Sequence, residues 1–200
     1  MKKQNTLKIW EISLLLSLCV SLLLGAWAQA RQEELSSNLL RLHVLAVSDD
    51  ETEQAIKLEV RDSVLAFLAP KLEGVKTPDE AKKVVEENLP AIRAAAMEKA
   101  ESRPVTVTLT QEYYPTREYE NFSLPAGKYD SLRVILGEGR GHNWWCVVFP
   151  PLCLTAVESQ EAMEALNPDD YKIVSGDDQY QIKFRLLELW GELMAKLNKA

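Results

Sequence analysis

Apolar and polar positions change period several times along this chain, and each change marks a predicted element. From Ile12 to Leu24 every residue is apolar apart from interspersed serines, with no 3.6- or two-residue alternation. From Leu39 to Val47 the stretch "LLRLHVLAV" sets Leu40, Leu42, Val44 and Ala46 against Leu39, Arg41, His43 and Leu45. This period of two, with apolar residues on both sides, predicts a strand inside a sheet. Ser48, Asp49 and Asp50 then offer N-cap oxygens to a helix from about Glu51 to Leu72. Its stripe is Ile56, Val60, Val64 and Leu68, with Glu53 and Lys57 as a surface pair.

"TPDE" at 77–80 is a capping box with proline at the first helical position, opening a helix toward Ser102. Ala81, Val85, Leu89, Ile92 and Ala96 form its stripe, and Pro90 kinks or divides it. After Pro104 the period returns to two: Val105, Val107 and Leu109 alternate with three threonines in a strand continuing toward Tyr113. A short strand is predicted within 119–124 and a stronger one over 131–136. Glycines 137, 139 and 141 then form a turn, and "WWCVVF" at 144–149 reads as the returning arm of a hairpin. Residues 155–178 read as a short helix and a loop, and 179–198 as an amphipathic helix. Strands in a block between helices predict an α+β fold, a mixed or mostly antiparallel sheet with helices packed on it.

Charge and processing signals refine this picture. Lys2, Lys3 and Lys8 precede the apolar run, which is short for a membrane span, and "GAWAQA" after it supplies small residues in the spacing of a signal-peptidase site. Residues 1–30 therefore read as a signal peptide cleaved after Ala28 or Ala30, or alternatively as a signal-anchor, followed by a single domain over 31–200. The mature chain loses three lysines and one glutamate from a total of 23 basic and 30 acidic residues, leaving a net charge of −9. Such a chain repels phosphate backbones, so no nucleic-acid partner is expected.

The segment "GHNWWCVVFPPLC" at 141–153 concentrates the candidate chemistry. Gly137, Gly139 and Gly141 lack the spacing and the following helix of a dinucleotide fingerprint, and read as permissive backbone in a turn. His142 and Cys146 are neighbours in a helix but about 13 Å apart in a strand, too far for proton transfer. A cysteine hydrolase then needs His43 to reach Cys146 from another strand. A His142, Cys146, Cys153 metal site lacks a fourth ligand, and no metal or cofactor is expected. In an exported protein, Cys146 and Cys153 have the composition of one disulfide, provided that the chain folds back at Pro150 and Pro151. Arg140, His142, Trp144 and Trp145 have the residue types of interface anchors. Adjacent strand residues face opposite ways, so one tryptophan is expected to be buried and the other exposed.

"GEGRGHNWWCVVFPPLC" and "RLHVLAVSDDETEQAIKLEVRDSVL", with "FRLLELW" at 184–190, resemble the stage II sporulation protein R family of endospore-forming bacteria. Val47 is a departure, standing where asparagine often precedes the Ser-Asp pair. The resemblance implies a secreted signalling protein, exported from the forespore into the space between the septal membranes. Its implied partner is a membrane-embedded aspartic protease that processes the sigma-E precursor. Membrane contact is then confined to the signal segment, and no catalytic residue carries over. The alternative remains a secreted cysteine hydrolase acting on cell wall or peptide through Cys146 and a histidine.

Overall fold

In the computed structural model, residues 2–119 and 122–152 are described; the predicted helix at 179–198, the segment 155–178 and Cys153 lie outside them. The chain divides into two units, 1–35 and 36–200. The first is helical: α1 (Lys2–Ser37) begins in it. It has a stretch from Lys8 with mean hydropathy 2.0 in its most apolar window, long and apolar enough by composition to cross a membrane, and no residue of that window is buried. It carries the apolar run and the small residues of the predicted cleavage site without a break in the helix.

The second unit is the expected α+β arrangement. Its sheet holds β1 (Leu40–Leu45), β2 (Val105–Tyr114), β5 (Gly127–Leu136) and β6 (Asn143–Phe149) in the order β2-β5-β1-β6. β1 runs parallel to β5 and antiparallel to β6, and β2 is antiparallel to β5, so the sheet is mixed. Helices α2 (Glu51–Leu72), α3 (Pro78–Glu87) and α4 (Leu89–Lys99) supply one side of the core. Ile56, Val60, Val64 and Leu68 of α2 are buried as their spacing predicts, each stabilising by about 1.5–3 kcal/mol. They join Leu40, Leu42 and Val44 of β1 and Leu132, Val134 and Leu136 of β5 in one cluster. Pro90 does divide the second predicted helix: Asn88 ends α3 and opens α4. Thr77 caps α3 by accepting from the Glu80 N–H at 3.3 Å, and Glu80 accepts in return from Lys76 N at 3.1 Å.

Several local expectations differ from the structure. β5 and β6 do not form a hairpin, because β1 lies between them. Glycines 137, 139 and 141 let their connection cross the end of β1 instead: a Cβ on Gly139 would stand 2.8 Å from Ile135 Cγ2, and one on Gly141 only 2.2 Å from Ser48 O. Gly137 and Gly139 also have positive φ, +57° and +63°. Glu53 pairs with Arg103 rather than Lys57, through two contacts of 2.7 Å. Asp50 makes no side-chain cap on α2; its carboxylate accepts from Ser48 Oγ at 2.6 Å. The short strand expected within 119–124 is a separate two-stranded ribbon of β3 (Arg117–Glu118) and β4 (Ser123–Leu124).

Candidate functional site

The β5–β6 connection is tied to the β1–α2 connection by a set of directed contacts. Gly141 N–H donates to Ala46 O at 3.0 Å, and His142 N–H donates to Asp49 Oδ1 at 2.6 Å. The His142 ring meets the same carboxylate, Nδ1 to Oδ1 2.6 Å. From below, Lys57 Nζ donates to His142 O at 3.1 Å and to Gln54 Oε1, while Gln54 Nε2 donates to Ser48 O at 2.8 Å. Lys57 is buried; burial, and then the neighbouring Arg61 charge, hold its ammonium below its ordinary pKa. The loop backbone is thus fixed, while the Arg140 and His142 side chains are each 78% exposed. Among the described residues, the ion-pair partner of Arg140 is Glu138, itself 69% exposed.

Beside this loop Trp144 is half-buried against the helix-side core, with the Arg61 guanidinium 4.7 Å from its ring centroid. Arg140, His142, Trp144 and Arg61 therefore belong to one region at the end of the sheet. Trp145 does not: it pairs with His43 across β1–β6, on the other face. The two tryptophans do face opposite ways, but both are half-buried, because each face of the sheet is covered. The expectation of one buried and one exposed ring is corrected on that point.

Cys146 is buried, 5% exposed. It pairs with Leu42 and thus shares the helix-side face, whereas His43 pairs with Trp145 on the opposite face. His43 therefore cannot serve Cys146 as a base across the sheet. His142 is held by Asp49 four residues earlier than Cys146 on an extended strand. Neither Cys-His pairing on which a hydrolase depends is present.

The far face of the sheet carries residues that periodicity alone did not single out. Arg41, His43, Glu112, Tyr114, Tyr129, Ser131, Arg133 and Trp145 alternate with the core residues of their strands. Arg41 is fully buried, its Cζ 3.9 Å from the Tyr114 centroid and 4.9 Å from that of Tyr129. Its Nη2 donates to Tyr119 Oη at 2.6 Å. His43 Nδ1 lies 2.9 Å from Glu112 Oε2, which also accepts from Ser131 Oγ at 3.0 Å. Arg133 Nε is 3.2 Å from Glu112 Oε1. Burial pushes the Glu112 carboxyl up, but His43, Arg133 and Ser131 together reverse this and leave it below the ordinary carboxylate value. Burial also raises Tyr114 and Tyr119, which stay neutral hydroxyls. The available signal in the sequence was a charged residue and a histidine at alternate positions of a strand buried on both sides.

Among the described residues, a mixed-sheet α+β unit follows an apolar amino-terminal helix and holds neither of the expected Cys-His pairings. The family model for stage II sporulation protein R matches residues 36–159. Over 224 aligned residues the chain is 30% identical to stage II sporulation protein R of Bacillus subtilis (strain 168), covering 98% of this chain and all of that protein. No solved structure matches. The chain belongs to the stage II sporulation protein R family.

Proposed function

We propose that this protein is an exported sporulation signal that activates a membrane-embedded aspartic protease, switching on cleavage of the sigma-E precursor from across the septal space. The observation that carries this reading is the loop 137–143: its backbone is held by Ala46, Asp49 and Lys57 while Arg140 and His142 project into solvent. A fixed backbone with exposed side chains lowers the ordering cost of binding. The apolar amino-terminal helix supports export, and family membership supports the sporulation context. We include a Cys146–Cys153 bridge in the proposal, supported by buried Cys146 and by the turn in which Leu152 N–H donates to Pro150 O at 2.7 Å.

A ligand activates a protease only by binding its active state more tightly than its resting state. Truncating an anchor of that contact costs about 1–3 kcal/mol. The test is co-expression with the membrane protease and its precursor substrate in a host lacking other sporulation proteins. An Arg140→Ala, His142→Ala double variant is expected to be secreted and to melt near the wild-type temperature, yet to leave the precursor uncleaved. Full processing by that folded variant would move the contact elsewhere, with Trp144 and Arg61 the next surface to alter.

A further inference from the structure

Buried polar nitrogens without hydrogen-bond partners are concentrated on the far face of the sheet. Six buried side-chain nitrogens among the described residues lack a hydrogen-bond partner, and four of them lie in this one layer: Arg41 Nε and Nη1, His43 Nε2 and Trp145 Nε1. A fifth, Arg133 Nε, has the Glu112 carboxylate for an ion pair. The layer is continuous. The His43 ring centroid is 5.5 Å from that of Trp145 and 6.0 Å from that of Tyr114, against which Arg41 stacks. Arg41 is 0% and His43 8% exposed.

Leaving a guanidinium buried with three N–H bonds unused is costly, since a buried charge normally has a hydrogen-bonded counter-charge. Glu112 does not fill that role, being engaged by His43, Ser131 and Arg133. The only polar cap on Arg41 among the described residues is the Tyr119 hydroxyl, neutral and carried next to the two-pair ribbon β3–β4. Arg117, from the same ribbon, adds a second cation 3.6 Å from the Trp145 ring centroid. The Arg41 and Arg117 guanidinium groups, an indole N–H and an imidazole therefore share one layer, in which the described carboxylate, Glu112, is already engaged.

We propose that this layer is a carboxylate-binding site, with Arg41 as the charged anchor, Trp145 Nε1 and His43 Nε2 as flanking groups, and Tyr119 as the side chain that a ligand displaces. A carboxylate matches the set because its two oxygens accept several N–H bonds at once and its charge balances Arg41. The carboxylate comes either from an acidic side chain or from a peptide C-terminus; both present the same two oxygens. This site is independent of the loop at 137–143 and does not rest on the protease reading.

The test is nitrogen-15 spectroscopy on the full chain in detergent micelles, following the Arg41 Nε–H and Trp145 indole N–H signals, assigned with Arg41→Lys and Trp145→Phe. The probes are acetate, an acetylated glutamate amide, a short neutral peptide with a free C-terminus, and inorganic phosphate. Saturable shifts of both signals by acetate and at least one of the two organic probes are expected, weakened tenfold or more in Arg41→Lys. The stronger of the glutamate and peptide probes identifies the source of the carboxylate. Phosphate binding as tightly as the carboxylates would overturn the assignment in favour of a general anion site. Cross-peaks from Arg41 Nε–H to water that no probe perturbs would show a hydrated arginine only, and would overturn it outright. Should Arg41→Lys lose its dispersed spectrum, His43→Gln replaces it, with the same tenfold weakening expected.

Discussion

Gly141→Ala is the substitution that most directly challenges the crossing of the β5–β6 connection over β1. The added Cβ would lie 2.2 Å from Ser48 O, 2.5 Å from Ser48 C and 3.0 Å from Ala46 Cβ. Two of these are backbone atoms, so no side-chain rotation relieves the clash, and the connection must lift away from the β1–α2 turn. Overpacking of this kind costs about 1–3 kcal/mol. Lifting also breaks the Gly141 N to Ala46 O and His142 N to Asp49 bonds and removes an acceptor from buried Lys57, at roughly 1 kcal/mol for each bond. The expected loss is therefore about 4–6 kcal/mol in urea unfolding of the exported protein, together with a lowered midpoint. Gly74→Ala is the control: Gly74 has φ +78° and nothing within 4 Å of its would-be Cβ, so only the conformational cost of about 1–2 kcal/mol applies. Equal stability losses in the two variants, or a Gly141→Ala protein as stable as the parent, would refute the steric account.

The Cys146–Cys153 bridge predicts no alkylatable thiol in non-reduced exported protein by intact mass. Its removal by a double serine substitution should cost about 2–3 kcal/mol from loop-closure entropy; two labelled cysteines in active protein would exclude it. N-terminal sequencing of the exported form should begin at Gln29 or Arg31; a start at Met1 would instead establish a retained anchor. Glu112 has a folded pKa below its unfolded one, so its contribution is present above the ordinary carboxylate range and is lost as pH falls through the folded value. Stability measured from pH 7 down to pH 3 should fall less steeply in Glu112→Gln, and parallel curves for the two proteins would rule out that linkage.

Local rules were sufficient where the information is local. The i+4 stripe of α2, the division at Pro90 and the Thr77 cap depend on residues within one or two turns, and each stands where its spacing put it. β1 was legible as an interior strand because apolar residues occupy both of its faces. Its position between β5 and β6 was not, since Leu42 meets Leu132 and Cys146, partners some ninety residues or more away that leave no periodic trace nearby. A separation of 50 residues likewise hid the Glu53–Arg103 pair, which displaces the i+4 partner that helix spacing offered. Of the candidate site, Arg140, His142 and Trp144 were found from residue type and glycine context. Trp145 was grouped with them by adjacency, although strand alternation sends it to the other face. Arg41 was not singled out, because its aromatic neighbours come from three other segments.

β1 and the turn after it serve two regions at once, and this sets what a loss of activity can mean. Leu40, Leu42 and Val44 fill the helix-side core, Arg41 and His43 enter the opposite layer, and Ala46 to Asp49 hold the loop that displays His142. Replacing Leu42 by alanine is worth about 2–5 kcal/mol, a large part of the total stability of such a unit. An inactive variant within 40–46 therefore reports first on folding. Side chains at the loop carry no such burden: Arg140 and His142 are mostly exposed, and the bonds that fix their backbone use Asp49, Ala46 and Lys57. On the proposed reading, function separates from stability at Arg140 and His142, whereas a substitution in β1 alters folding first.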